Sequence, residues 1–84
     1  LWILYYLLEN KLAGVKTAEY VAMICLSTEE LALGFIDAMD PMYSKGCEPM
    51  QVTFNAARDV AKEHGYDALL LADDPDNTQL HYVR

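Results

Sequence analysis

Apolar residues gather in blocks along this chain, and the spacing inside each block predicts a different element. Val52, Ala56 and Val60, with Ala57 and Ala61 beside them, recur at helical intervals, while Arg58, Asp59, Lys62 and Glu63 fall on the opposite side. An amphipathic helix is expected there, opened by Pro49 in its first turn and closed by Gly65, with His64 against the negative end of its dipole. Residues 68–72 follow as an unbroken apolar run, too short for a helix between a glycine and a proline, and predict a central buried strand. Turn formers crowd 73–78, after which Leu80 and Tyr82 alternate with His81, so 79–84 reads as the second arm of a hairpin.

The first half is harder to parse. Residues 1–8 are apolar throughout: Leu1, Leu4, Leu8 and Leu12 would line one side of a helix, whereas Trp2, Ile3, Tyr5 and Tyr6 suit a pleated surface. Residues 20–26 are equally apolar and equally ambiguous by period alone. Residues 1–8 stay open between strand and helix, with strand preferred. Ser27-Thr28-Glu29-Glu30 favours a strand for the second run, because a capping box with Ser27 as N-cap starts a helix and what precedes a fresh cap is not helix. That helix carries Leu31, Phe35 and Met39, with Ala32, Ile36 and Ala38 beside them, as far as Asp40-Pro41. Residues 42–48 read as a loop between two prolines. The order strand, strand, helix, helix, strand, strand implies a single α+β domain: a two-layer sandwich with a mainly antiparallel sheet of about four strands and two helices on one face.

Composition narrows the use of such a domain. At 84 residues and 54% hydrophobic the chain carries enough apolar material for a modest core without a cofactor, and some of the surplus is expected at an interface. A formal charge of −7, from thirteen acids against six Lys and Arg, disfavours a nucleic-acid partner and suits a basic protein. Cys25 and Cys47 form no disulfide framework, which points to a reducing, cytoplasmic setting. The apolar run at 1–8 falls far short of the roughly 20 residues needed to span a bilayer, so no membrane role is expected.

Candidate chemistry is sparse. Asp73, Asp74, Asp76 and Asn77 offer oxygen ligands but lack the glycine and distant glutamate of a calcium loop, and read as a solvated hairpin tip. His64, His81 and Cys47 have no metal-ligand spacing; Cys47 with either histidine would make a nucleophile and base only if the fold gathered them. Residues 32–40, through Gly34-Phe35-Ile36-Asp37-Ala38, resemble the LAGLIDADG homing-endonuclease helix, but Met39-Asp40 replaces its closing Asp-Gly and no basic sheet accompanies it. The 74–83 segment is similar to the wing of winged-helix repressors, a likeness that implies helices at 1–13 and 20–26 and places an acidic helix, 28–39, where DNA would be read.

Three functions follow from these observations. The first is a small acidic protein-interaction module without catalytic activity, of the inhibitor or immunity type, occupying a basic site on its partner. The alternatives are a winged-helix regulator and a small enzyme using Cys47 and a histidine. Partner contacts are expected from the aromatics Trp2, Tyr5, Tyr6 and Tyr43 and from Asp73, Asp74 and Asp76. A homodimer is also expected, with Trp2 and Tyr6 as anchors, because a strand at 1–8 would turn an apolar face away from the helices.

Overall fold

The computed structural model describes residues 1–74 and 76–83 and is an α+β fold built on one mixed sheet of seven strands with three helices. In chain order these are β1 (Trp2–Tyr6), β2 (Lys11–Leu12), β3 (Gly14–Lys16), β4 (Val21–Leu26), α1 (Glu29–Ala38), α2 (Pro41–Ser44), β5 (Cys47–Gln51), α3 (Phe54–Glu63), β6 (Ala68–Asp74) and β7 (Asn77–Tyr82). Without the short or irregular pieces β2, β3, α2 and β5, the expected order of elements remains.

β4 sits near the middle. It runs parallel to β6, with Met23 opposite Leu69, and every other strand pairing is antiparallel among the described residues. β1 lies between β5 on one side and both β4 and β2 on the other. Ala13 joins the wedge of β2 and β3 to both neighbours: its N–H donates to the Leu4 carbonyl at 2.9 Å and its carbonyl accepts from Ile24 N–H at 3.1 Å. The turn before this wedge places Asn10 at φ 51, a left-handed conformation that asparagine tolerates, and the Tyr5 hydroxyl donates to its Oδ1 at 2.8 Å.

Side chains alternate across the pleat, and the alternation sorts the core into two clusters. Ile3, Met23, Cys25 and Leu69 pack against Ala57 and Ala61 of α3; Leu4, Ile24, Leu26 and Cys47 pack with Ala32 of α1. The two long helices therefore cover opposite faces of a seven-stranded sheet, instead of sharing one face of a four-stranded sheet as expected. An amphipathic helix announces that it buries one side, but not which side of the sheet receives it. The winged-helix alternative fails on the same evidence, since β1 and β4 occupy the segments it needs as helices.

Two boundaries also move. Thr28, not Ser27, is the N-cap of α1, its hydroxyl accepting from Leu31 N–H at 3.2 Å. Pro49 lies inside β5, opposite Leu4, and α3 starts later, with Thr53 as its cap. Proline is compatible with a strand at a sheet edge, where its missing donor faces no neighbour. Gly65 does end α3 at φ 80, with Tyr66 N–H reaching the Ala61 carbonyl at 2.8 Å and Gly65 N–H the Lys62 carbonyl at 3.1 Å, the paired bonds of a Schellman stop. The expected hairpin after β6 is present as β7, with a bulge between Ala72 and Asp74; Pro75 in its turn and Arg84 at its end lie outside the described residues.

Candidate apolar docking trough

Helix α1 lies over β1, β5 and the near side of β4, and leaves β6 and β7 uncovered on its face of the sheet. The gap is a half-open cavity of about 590 Å³. Ile24 and Leu26 of β4, Leu70 and Ala72 of β6 and Val15 of β3 supply its floor, and Leu31, Gly34, Phe35 and Ala38 of α1 its wall. Its polar rim is Glu30, Asp74 and Thr78; no lysine or arginine among the described residues lines it. Two acids sit close to these: Glu29 shares the first turn of α1 with Glu30, and Asp76 donates its N–H to Asp74 Oδ1 at 2.8 Å. The trough thus has an acidic end, where β4 and β6 finish and α1 begins.

Its other end continues into a shallower hollow of about 430 Å³ that shares Val15, Ile24 and Phe35 with it. Tyr6, Met39 and Tyr43 border this hollow. The Tyr6 hydroxyl points at Met39 Sδ, 3.8 Å away, and burial, followed by the neighbouring Cys47, raises its pKa. Phe35 stands between the two spaces and is 37% exposed, a large ring left half in water.

The sequence-derived contact residues divide over the molecule. Asp74 lines the trough, and Tyr6 and Tyr43 the hollow next to it. Asp73 and Asp76 are exposed beside Asp74. Trp2 packs against the α1-side cluster and Tyr5 against the α3-side cluster, each half-buried. β1 is interior to the sheet, with Ile3 and Leu4 both at 0% exposure, while Leu7 and Leu8 beyond its end are exposed. The open apolar surface of the trough belongs to Leu70 and Ala72 of β6, both half-buried, and to Phe35 of α1, while Ile24 and Leu26 of β4 lie buried at its base. Sequence reasoning missed Phe35 and Leu70 as surface residues, although one signal was available. Gly34, Phe35 and Ala38 lie beside the Ala32 and Ile36 stripe of α1, which is more apolar arc than one sheet contact uses.

Cysteine and histidine chemistry finds no common site. Cys47 faces the α1 side opposite Tyr6, and burial raises its pKa, which keeps it a thiol. His81 pairs with Leu69 and packs edge-on to Phe54 at 5.7 Å on the α3 side, while His64 caps α3. No group of three metal-ligating side chains occurs among the described residues, and none of their helices is long and apolar enough to cross a membrane. No protein-family model, no curated protein and no solved structure matches this chain.

Proposed function

We propose that this chain is a non-catalytic protein-interaction module that holds a basic partner through the trough between α1 and β6. The observation that carries this reading is an apolar cavity of about 590 Å³ rimmed by Glu30 and Asp74, with no lysine or arginine among the described residues of its lining, on a chain of net charge −7. Exposed apolar surface rimmed by polar groups is typical of interaction sites, and acidic rims speed and select encounters with basic partners. An inhibitor or immunity-type role, in which the module occupies a basic site on the partner, fits the same surface.

A photo-crosslinking residue placed at position 70 or 35, in cells that make the protein, tests the reading directly. The expected product is a basic protein joined at both positions and absent when the same residue replaces Asp59 on the outer side of α3. Crosslinks to a second copy alone would replace the partner by self-association through this face. Failure to crosslink anything at 70 and 35 would end the proposal.

A further inference from the structure

Resting on that reading, we infer that the occupant of the trough is an amphipathic α-helix of the partner, apolar along one side and carrying Lys or Arg at the end that meets Glu30 and Asp74. The outer edge of β7 has no partner strand among the described residues, but the floor of the trough is the face of a sheet in which β4 pairs with β6 and β6 with β7, and it offers side chains. An extended segment laid on that floor would bring its own N–H and C=O groups out of water without partners, whereas a helix satisfies them internally.

Parallel strands are normally buried on both faces under helices, and β4 with β6 is the parallel pair here. On one face α3 covers that pair; on the other Ile24 and Leu26 of β4 are already buried beside α1, whereas Leu70 and Ala72 of β6 are only half-buried. The open bed is therefore β6 and β7, about 4.8 Å apart, with the flank of α1 as its wall, and it seats one helix about 10–12 Å across with its side chains. The six residues of β7 set the length at roughly 20 Å, or about 14 helical residues. Beside the bed, Gly34 and Ala38 keep the wall of α1 low, and nothing lies within 4 Å of where a Gly34 side chain would begin.

Glu29, Glu30, Asp74 and Asp76 gather at one end of the trough, while Phe35, Val15 and Tyr43 mark the other. A helix with its basic residues confined to one terminus therefore has a single favourable orientation.

Two display libraries separate this inference from the reading it rests on. One presents amphipathic helices of about 14 residues and the other unstructured peptides of the same length, and both are selected against the purified protein. Expected winners come from the helical library, carry Lys or Arg near one end, and lose at least about tenfold in affinity on Leu70→Glu, which places a charge on the apolar floor. The double change Glu30→Lys and Asp74→Lys should weaken the same peptides and remove their salt dependence, and Arg58→Ala, on the far side of α3, should change nothing. Winners from the unstructured library alone, still sensitive to Leu70→Glu, would overturn the helix and leave the docking site standing. Winners that ignore Leu70→Glu, or none from either library, would overturn both. A dimer that sedimentation shows to come apart on Leu70→Glu would give the trough to a second copy and overturn the partner helix.

Discussion

Leu69 and Leu70 are neighbours in one strand, yet they live on different faces of the sheet. Leu69 is fully buried among Met23, Cys25, Ala57 and Ala61 under α3, whereas Leu70 is only partly covered and lines the trough beside α1. The α3 side closes because two alanines of that helix let it settle close over β4 and β6. The α1 side stays open because its helix is displaced toward β1 and β5, where Leu4, Trp2 and Cys47 meet Ala32, Ile36 and Met39. Both faces carry a buried cluster, but only the α1 side leaves part of β6 half-covered beside it.

That contrast is broken most directly by truncating each leucine in turn. Leu69→Ala should cost about 2–5 kcal/mol, the range for removing a large side chain from a closed core. Leu70→Ala should cost about 1 kcal/mol or less, because much of its transfer energy is never gained. Urea denaturation of the two variants gives the comparison, and equal losses would mean that the trough is as closed as the opposite face.

The α3 side also depends on close backbone approach. A side chain at Gly14 would start 2.5 Å from the Tyr66 ring and 2.8 Å from the Ala22 carbonyl oxygen, so even a methyl group displaces one of them. Tyr66 is fixed in place by its hydroxyl, which donates to the Leu12 carbonyl at 2.8 Å. Gly14→Ala should cost about 1–3 kcal/mol, and thermal melting will read it. On the α1 side, Gly34→Ala meets no atom, and gaining a better helix former should stabilise α1 by roughly 0.5–1 kcal/mol. A loss at Gly34 as large as at Gly14 would contradict the asymmetry.

The two thiols report the faces through pH. Burial pushes Cys25 on the closed side up to about 11 from its usual 9.0, partly countered by the positive chain terminus. Cys47 on the α1 side is also raised by burial, while its hydrogen bond with Tyr6 acts the other way. In the unfolded chain Cys25 loses its proton first, so the unfolded state binds fewer protons and folding stability falls as pH rises. Its contribution is intact below about pH 9 and declines toward pH 11, amounting to about 1.4 kcal/mol for each unit crossed. Other groups titrate in the same window, so the measurement is the difference between the unmodified protein and Cys25→Ala, whose stability should slope less steeply from pH 9 to 11. Identical slopes would refute the assignment.

How much of this was readable beforehand differs by element. Spacing exposed α1 and α3, the short run before Pro75 exposed β6, the cap after Leu26 favoured β4, Gly65 gave the stop of α3, and β1 stayed open between strand and helix. β2 and β3 carry too few residues for a period to register, and Pro49 disguised β5 as a helix start. The trough was hidden for another reason. In a run such as Ala68-Leu69-Leu70-Leu71-Ala72, the residue facing a closed core and the residue facing an open one are the same amino acid, so only the position of α1 tells them apart. Of the acids grouped as a hairpin tip, Asp74 and its neighbours were legible as a charged patch, but the apolar surface they border was not.

The caps of the two helices are chemically alike, and their effects are small. Thr28 accepts from Leu31 N–H at 3.2 Å to start α1, and Thr53 accepts from Ala56 N–H at 3.1 Å to start α3. Replacing either by alanine should cost about 1 kcal/mol by leaving a first-turn donor to water. The consequences differ by face. Thr53→Ala loosens the helix that seals the closed side, so amide exchange should rise through Ala57, Ala61 and the strand residues beneath them. Thr28→Ala frays the turn bearing Glu29 and Glu30, so faster exchange should stay at the acidic end of the trough and leave Met23 and Leu69 protected. Ser27, whose side chain takes no part in this cap, should tolerate alanine with a change within about 0.5 kcal/mol. If Ser27→Ala proved costlier than Thr28→Ala, the helix would begin one residue earlier and Glu30 would turn back toward the cap, away from the rim it is assigned to.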